Sequence, residues 1–265
     1  MAYRHILYDK DAGVAHITLN RPDKLNALSQ DLLAELEGAL FEEAETDADV
    51  RVVVVQGAGR AFSTGYDAAE ATITDVAAAT SISHDREHMV FSQERWWRIR
   101  QFPKPVIAQV HGYCLAGATQ LAMACDIIIV AENAQVGNVQ AGPMGAGVLG
   151  AEFAWQVGAK RAKEIMFVIG SRIDGREAER IGWANRAVPL SRLEAEVTAL
   201  AQRISQTPQD LLAIEKVAIN RMEELMGLRT AMLYAGDLDT IAHYTPPVQQ
   251  FLAALKEKGI KGVRD

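Results

Sequence analysis

Two short loops carry the residue pattern best suited to chemistry: Ser63-Thr-Gly65-Tyr66-Asp67 and Leu115-Ala-Gly117-Ala118. Each follows a run of β-forming residues, and each holds a glycine where backbone must come close to something. Two backbone N–H groups at such turns, near helix N-termini, can converge on one oxygen. That arrangement stabilises negative charge developing on a carbonyl. On spacing alone a glycine after a strand is more often only a tight turn, and both readings stand at this level.

The elements around these loops follow from periodicity and turn chemistry. Val14–Leu19 alternates like a strand, and Asn20-Arg-Pro-Asp-Lys24 ends it. Ser29 is placed to cap a helix running to about Glu45, with Leu32, Leu33, Leu36 and Leu40 on one face. The four valines Val52–Val55 predict a strand covered on both faces. Residues 68–83 are Ala/Thr-rich and weakly patterned, a variable or mobile stretch. A helix is expected over about Asp85–Gln101, stopped by Pro103-Lys-Pro105. Strand Val106–Val110, a turn at His111-Gly112, a short helix Gly117–Ala124 and strand Ile127–Val130 make a compact α/β unit. A Gly-rich stretch, 137–150, precedes a helix from about Ala151. Short helices are expected over Arg161–Val168 and Asp174–Ile181, and a helical tail from about Leu193.

Bulk properties exclude several classes. The chain has 265 residues, 49% of them hydrophobic and 23% charged, an ordinary globular balance. A net charge of −7 gives no general attraction to nucleic acid or anionic lipid. A phosphorylated ligand would need a local patch or a helix N-terminus. Cys114 and Cys125 match neither a CxxC motif nor a zinc ligand set, and Cys125, in an apolar run, reads as a buried reduced thiol. The N-terminus lacks an apolar signal core, and no stretch approaches the ~18 apolar residues of a membrane span. A cytoplasmic protein with no metal and no membrane partner is the expectation.

The string Ala61-Phe-Ser-Thr-Gly65-Tyr-Asp67 resembles the AFSAGxD signature of the crotonase (enoyl-CoA hydratase/isomerase) superfamily. Leu19-Asn-Arg-Pro-Asp-Lys-Leu-Asn-Ala27, Lys104-Pro-Val-Ile-Ala108, His111-Gly-Tyr-Cys-Leu-Ala-Gly117, Leu121-Ala-Met-Ala-Cys-Asp126 and Ala178–Pro189 resemble further family blocks, in family order. The resemblance implies an α/β fold, a spiral of ββα turns over residues 1–192. A C-terminal helical segment, 193–265, would serve trimerisation and cover the active site. It implies an acyl-CoA thioester as substrate, with coenzyme A part of that substrate and no separate cofactor, and a homotrimer or homohexamer. The family's oxyanion-hole amides map onto Tyr66 and Gly117. The coenzyme would lie along Phe62, Thr64, Gly65, Tyr66 and Asp67, with Arg21 and Lys24 near its phosphates. On residue type alone, Asp67 reads more readily as a loop or helix cap than as a catalytic acid.

The departures from the pattern are as informative. A hydratase of this family carries one glutamate three residues after the hole glycine, where this chain has Gln120. The second falls in Gly137-Asn-Val-Gln140, again glutamine. Hydration needs a base to activate water and an acid to protonate the α-carbon, and a carboxamide does neither. Glu152, Glu87, Glu94, His84 and His88 are the substitutes within sequence reach, each reading more readily as a solvated helix face. His16, alternating on a strand, reads as a partly buried histidine. Trp96, Trp97 and Tyr234 either narrow an aromatic-lined pocket or pack. Three readings follow: an acyl-CoA enzyme that stabilises a thioester enolate without the two-glutamate route, a conventional enoyl-CoA hydratase using another acid/base, or a non-catalytic thioester-binding protein. Apolar residues such as Leu211, Leu212, Ile214, Val217 and Ile219 in the tail predict an oligomer.

Overall fold

The computed structural model describes residues 3–67, 81–138 and 147–262. Gln140 and most of the stretch expected to be variable lie outside the described residues.

The centre is a six-stranded sheet in the order β1-β2-β3-β4-β6-β9. It comprises β1 (Ile6–Asp11), β2 (Val14–Leu19), β3 (Val52–Gly57), β4 (Val106–Val110), β6 (Ile127–Ala131) and β9 (Arg186–Val188). Only the β1/β2 hairpin pairs antiparallel; the other neighbours run parallel. A second sheet of three short strands, β5 (Tyr113–Leu115), β7 (Gln135–Gly137) and β8 (Arg172–Asp174), stacks in the order β5-β7-β8. Val52–Val55 is fully buried, as four consecutive valines require.

Helix α1 (Gln30–Gly38) starts where Ser29 Oγ accepts the Leu32 N–H at 3.2 Å, and it continues as a π turn over Ala39–Ala44. Leu32, Leu33, Leu36 and Leu40 are all buried. Helices α2 (Ile82–Arg100), α3 (Gly117–Ala124), α4 (Gly147–Val157), α5 (Ala159–Met166) and α6 (Gly175–Arg180) follow. The strands that sequence patterning misses are β1, β5, β7 and β8. In β1 only Ile6 is buried, so it carries no alternation. The other three have three residues each, too few for a period to show.

The C-terminal helices are α7 (Leu190–Ser205), α8 (Gln209–Leu225), α9 (Leu228–His243) and α10 (Pro246–Gly262). They do different jobs. Helix α7 lies across β2, β3, β4, β6 and β9, with Leu193, Val197 and Ala201 in the core. Helix α9 packs between α2 and α4, fixed at one end by His243 Nδ1 at 2.9 Å from Asp85 Oδ2. Helix α8 is inverted in polarity. Its inward residues are Lys216, which donates to Asp126 Oδ2 at 2.7 Å, and Asn220, which donates to the Arg100 carbonyl at 2.9 Å. Leu211, Ile214, Val217 and Ile219 face outward and Leu212 is half-buried. Cys114 and Cys125 are both buried free thiols. Among the described residues no helix is long and apolar enough to cross a membrane.

Candidate active site

The two glycine loops are zipped together by backbone. Ser63 bridges Cys114, with Ser63 N donating to the Tyr113 carbonyl at 3.0 Å and Leu115 N to the Ser63 carbonyl at 3.2 Å. Leu28 bridges Tyr66 from the other side, through Leu28 N to Gly65 O at 2.8 Å and Asp67 N to Leu28 O at 3.1 Å. Gly65 sits at φ +89°, and a Cβ there would fall 2.7 Å from Leu115 O and 3.1 Å from Gly117 N. Only glycine meets both demands. Ala116 adopts φ 48°, an uncommon conformation for alanine, at the turn into α3. Gly117 is therefore the first residue of α3, where N–H groups lack helical acceptors and the helix dipole is positive. The Tyr66 and Gly117 amides have no hydrogen-bond acceptor among the described residues.

Several motif residues prove to be the frame of these loops. Asn26, at φ 55°, accepts from Arg21 N at 2.9 Å through its side-chain oxygen and donates to the Ala58 and Ala61 carbonyls, both at 2.8 Å. It ties the 20–27 segment to the loop after β3. Lys104 donates to the Ala44 and Asp47 carbonyls at 2.6 and 2.7 Å. Asp126 accepts from Val106 N and Lys216. Arg21 is buried, donating Nη1–H to the Ala27 carbonyl at 2.7 Å and forming an ion pair from Nη2 to Asp67 Oδ2 at 2.9 Å. The guanidinium expected near phosphates is buried against the loop itself, with Asp67 as a buried counter-ion. Phe62 is wholly inside the hydrophobic core and has no side-chain surface for a ligand. Thr64 is half-buried, its N–H on the Leu25 carbonyl at 3.2 Å. Lys24 is exposed on the adjoining Pro22–Lys24 turn.

Tyr66 lies over Gly117: a Cβ on residue 117 would meet the ring's Cε2, Cδ2 and Cζ at 2.7, 2.8 and 3.0 Å. Its hydroxyl accepts from Trp96 Nε1 at 3.2 Å, sits 3.2 Å from Ser92 Oγ, and donates to Gln120 Oε1 at 3.3 Å. Burial raises the phenol pKa, so it stays neutral. Gln120 Nε2 in turn donates to Glu152 Oε1 at 3.1 Å. Glu152 lines a cavity of about 20 Å³ with Gln120, Trp96, Trp155, Leu228 and Met232, room for about one water. Burial pushes its carboxyl up to about 7, against the pull of the Gln120 hydrogen bond and the nearby Arg100 charge.

A solvated helix face was expected for Glu152, and the structure overturns it: the residue is 7% exposed. The signal was available in Gly147–Val157, where one carboxylate stands in an otherwise uncharged, largely apolar helix. Sequence reading also missed Ser92, and gave no hydrogen-bonding role to Trp96. The other substitutes fare differently. Glu87 and His84 are exposed, His88 is half-buried, and Glu94 pairs with Arg229 at 2.9 Å. His16 is half-buried on β2. Trp97 is buried beneath the Arg229 guanidinium, 5.5 Å from its ring centroid, and Tyr234 is 63% exposed. Among the described residues no cluster of three or more His, Cys, Asp or Glu is arranged to hold a metal.

Known proteins bear directly on this arrangement. The sequence profile described as enoyl-CoA hydratase/isomerase matches residues 9–257. The chain is 33% identical over 260 residues to the "probable enoyl-CoA hydratase echA8" of Mycobacterium tuberculosis, covering 97% of each protein. It is 33% identical over 224 residues to the short-chain-enoyl-CoA hydratase of Clostridium acetobutylicum, covering 83% of each. Its fold superimposes on the crystal structure of an enoyl-CoA hydratase/isomerase from Xanthobacter autotrophicus with a TM-score of 0.89 at 36% identity, covering 100% of this chain and 98% of that one. An enoyl-CoA hydratase from Mycobacterium smegmatis gives 0.86 at 31% identity, covering 99% and 93%. Profile, sequence and fold agree over nearly the whole chain, which belongs to the enoyl-CoA hydratase/isomerase (crotonase) family.

Proposed function

We propose that this protein is an acyl-CoA enzyme that holds the thioester carbonyl oxygen between the amides of Tyr66 and Gly117 and stabilises the enolate formed there, without two-glutamate hydration. The observation that carries the reading is a pair of amides with no acceptor among the described residues, on two loops locked together by Gly65. Removing a proton α to a thioester moves negative charge onto the carbonyl oxygen. Two fixed N–H donors, one at a helix N-terminus, favour that charge without reorganisation. Lys24 is an exposed cation beside the loop and suits the phosphates of the coenzyme. Helix α9 covers the pocket through Leu228 and Met232, in keeping with a tail that closes the site. The outward apolar face of α8 suits a homotrimer or homohexamer; a stable monomer in light scattering at micromolar concentration would overturn that assembly.

A carboxamide at position 120 cannot carry a proton, so the wild-type protein hydrates crotonyl-CoA poorly or not at all. The double change Gln120→Glu and Gln140→Glu raises that activity, read as loss of the conjugated-enoyl absorbance. Fast wild-type hydration would sink this reading. A second reading, conventional hydration through another acid/base, then gains ground, and Glu152 is the observation that favours it: a buried carboxyl poised near neutrality beside Gln120.

A further inference from the structure

A hydrogen-bonded chain crosses four elements: Glu152 on α4, Gln120 on α3, Tyr66 in the first loop and Trp96 on α2. One atom in it stands out. Glu152 Oε2 is buried and has no hydrogen-bond partner among the described residues. A buried carboxyl oxygen left without a partner costs free energy, more so when the group is ionised, and such an atom calls for an explanation.

The donors and acceptors along the chain are interdependent. An ionised Glu152 only accepts, so Gln120 must turn its Nε2 toward it and its Oε1 toward Tyr66. That consumes the single hydroxyl proton of Tyr66, in keeping with the 3.3 Å contact between Tyr66 Oη and Gln120 Oε1. A Glu152 protonated on Oε1, the oxygen facing Gln120, has an O–H to give along the chain. Gln120, turned over, then accepts from Glu152 and gives an N–H to Tyr66 Oη. The hydroxyl proton is released for another acceptor, Ser92 Oγ or an oxygen of a bound ligand. The net movement is one solvent proton onto Glu152 and one amide rotation.

We propose that Glu152 is a positioning residue whose protonation sets the orientation of the Gln120 carboxamide, and through it the donor or acceptor role of the Tyr66 hydroxyl above Gly117. Both states are accessible near neutral pH, because burial pushes the carboxyl up to about 7. Among the described residues, two charged groups act on it. Arg100 on α2 favours the ionised form, but it also binds Glu223 and the Met123 carbonyl. Asp239 on α9 favours the neutral form. Helix α3 presents no charge, and the charged residues of α5, Lys160, Arg161, Lys163 and Glu164, are exposed. The consequence for chemistry rests on the proposed placement of the acyl group at Gly117; the switch itself does not.

The switch can be read without turnover, from the Trp96 indole N–H, which donates to Tyr66 Oη. In ¹⁵N-labelled protein, with the resonance assigned by Trp96→Phe, that signal should titrate with a midpoint of about 7. It should stay flat in Glu152→Gln and in Gln120→Met, which cuts the chain while leaving Glu152 titratable. A flat wild-type signal, or titration that persists in either variant, overturns the proposal. Should Glu152→Gln not fold, Gln120→Met decides alone. In parallel, solvent exchange of the α-protons of butyryl-CoA should follow the same midpoint in wild type and lose it in Glu152→Gln. If butyryl-CoA does not bind while Trp96 still titrates, the proposed function fails and the positioning role stands. If it binds and exchanges with no inflection near that midpoint, Glu152 does not position Tyr66 for chemistry and the proposal falls.

Discussion

The loop pair at 63–67 and 115–117 and the helical pocket behind it touch at Tyr66, yet they are built on opposite principles. The loops act through backbone. Their geometry is set by two isolated bridges, by the φ of Gly65, and by the framing bonds of Asn26 and Arg21. The pocket acts through side chains from α2, α3, α4 and α9, residues far apart in the chain, joined by bonds of 3.1–3.3 Å. Backbone chemistry needs particular small residues at particular turns, so it leaves a local trace. Side-chain chemistry assembled by helix packing leaves only isolated polar residues in apolar runs.

Two perturbations test whether the regions are as separable as this contrast implies. The larger strikes the loops. Gly65→Ala puts a Cβ 2.7 Å from Leu115 O at a φ alanine disfavours, so the loops must part. Loss of an aligned amide should lower α-proton exchange of butyryl-CoA by about 10²–10³-fold. Calorimetry should show a lower Tm as well. Gly117→Ala, by contrast, meets only the movable Tyr66 ring and should cost less stability. Equal losses of Tm in the two variants would show that the ring, too, is part of the loop frame.

The smaller perturbation strikes the pocket. The folded-state pKa of Glu152 is raised, from 4.5 to about 7. Its contribution to stability is thus fully present below the unfolded value of about 4.5 and is lost as pH rises through about 7. Glu152→Gln removes that dependence. Relative to wild type, the variant should gain stability between pH 5 and 8, by on the order of 3 kcal/mol, in urea melts at the two pH values. An unchanged difference would mean that the carboxyl is not burdened by burial, and the pocket would then be no more demanding than the loops.

The features legible along the chain are those whose physics is local. The alternation of Val14–Leu19, the Ser29 cap, the valine run of β3 and helix Gly117–Ala124 were all readable, because each signal lies within a few residues of its effect. So was the first loop, since the left-handed φ and close backbone approach at Gly65 call for glycine; at Gly117 the close neighbour is the Tyr66 ring. Tertiary structure decided the rest. Arg21 could be matched to phosphate from its charge, but its partner Asp67 lies 46 positions away in sequence and is reached only by folding. Phe62 sits in the signature motif, yet packing turned it into the core. Glu152 looked like one more surface carboxylate until α3, α9 and the Trp96 face of α2 closed over it. Burial is a sum over neighbours that no short stretch of sequence contains, and here burial is the main reason the Glu152 carboxyl lies at about 7 and not at 4.5.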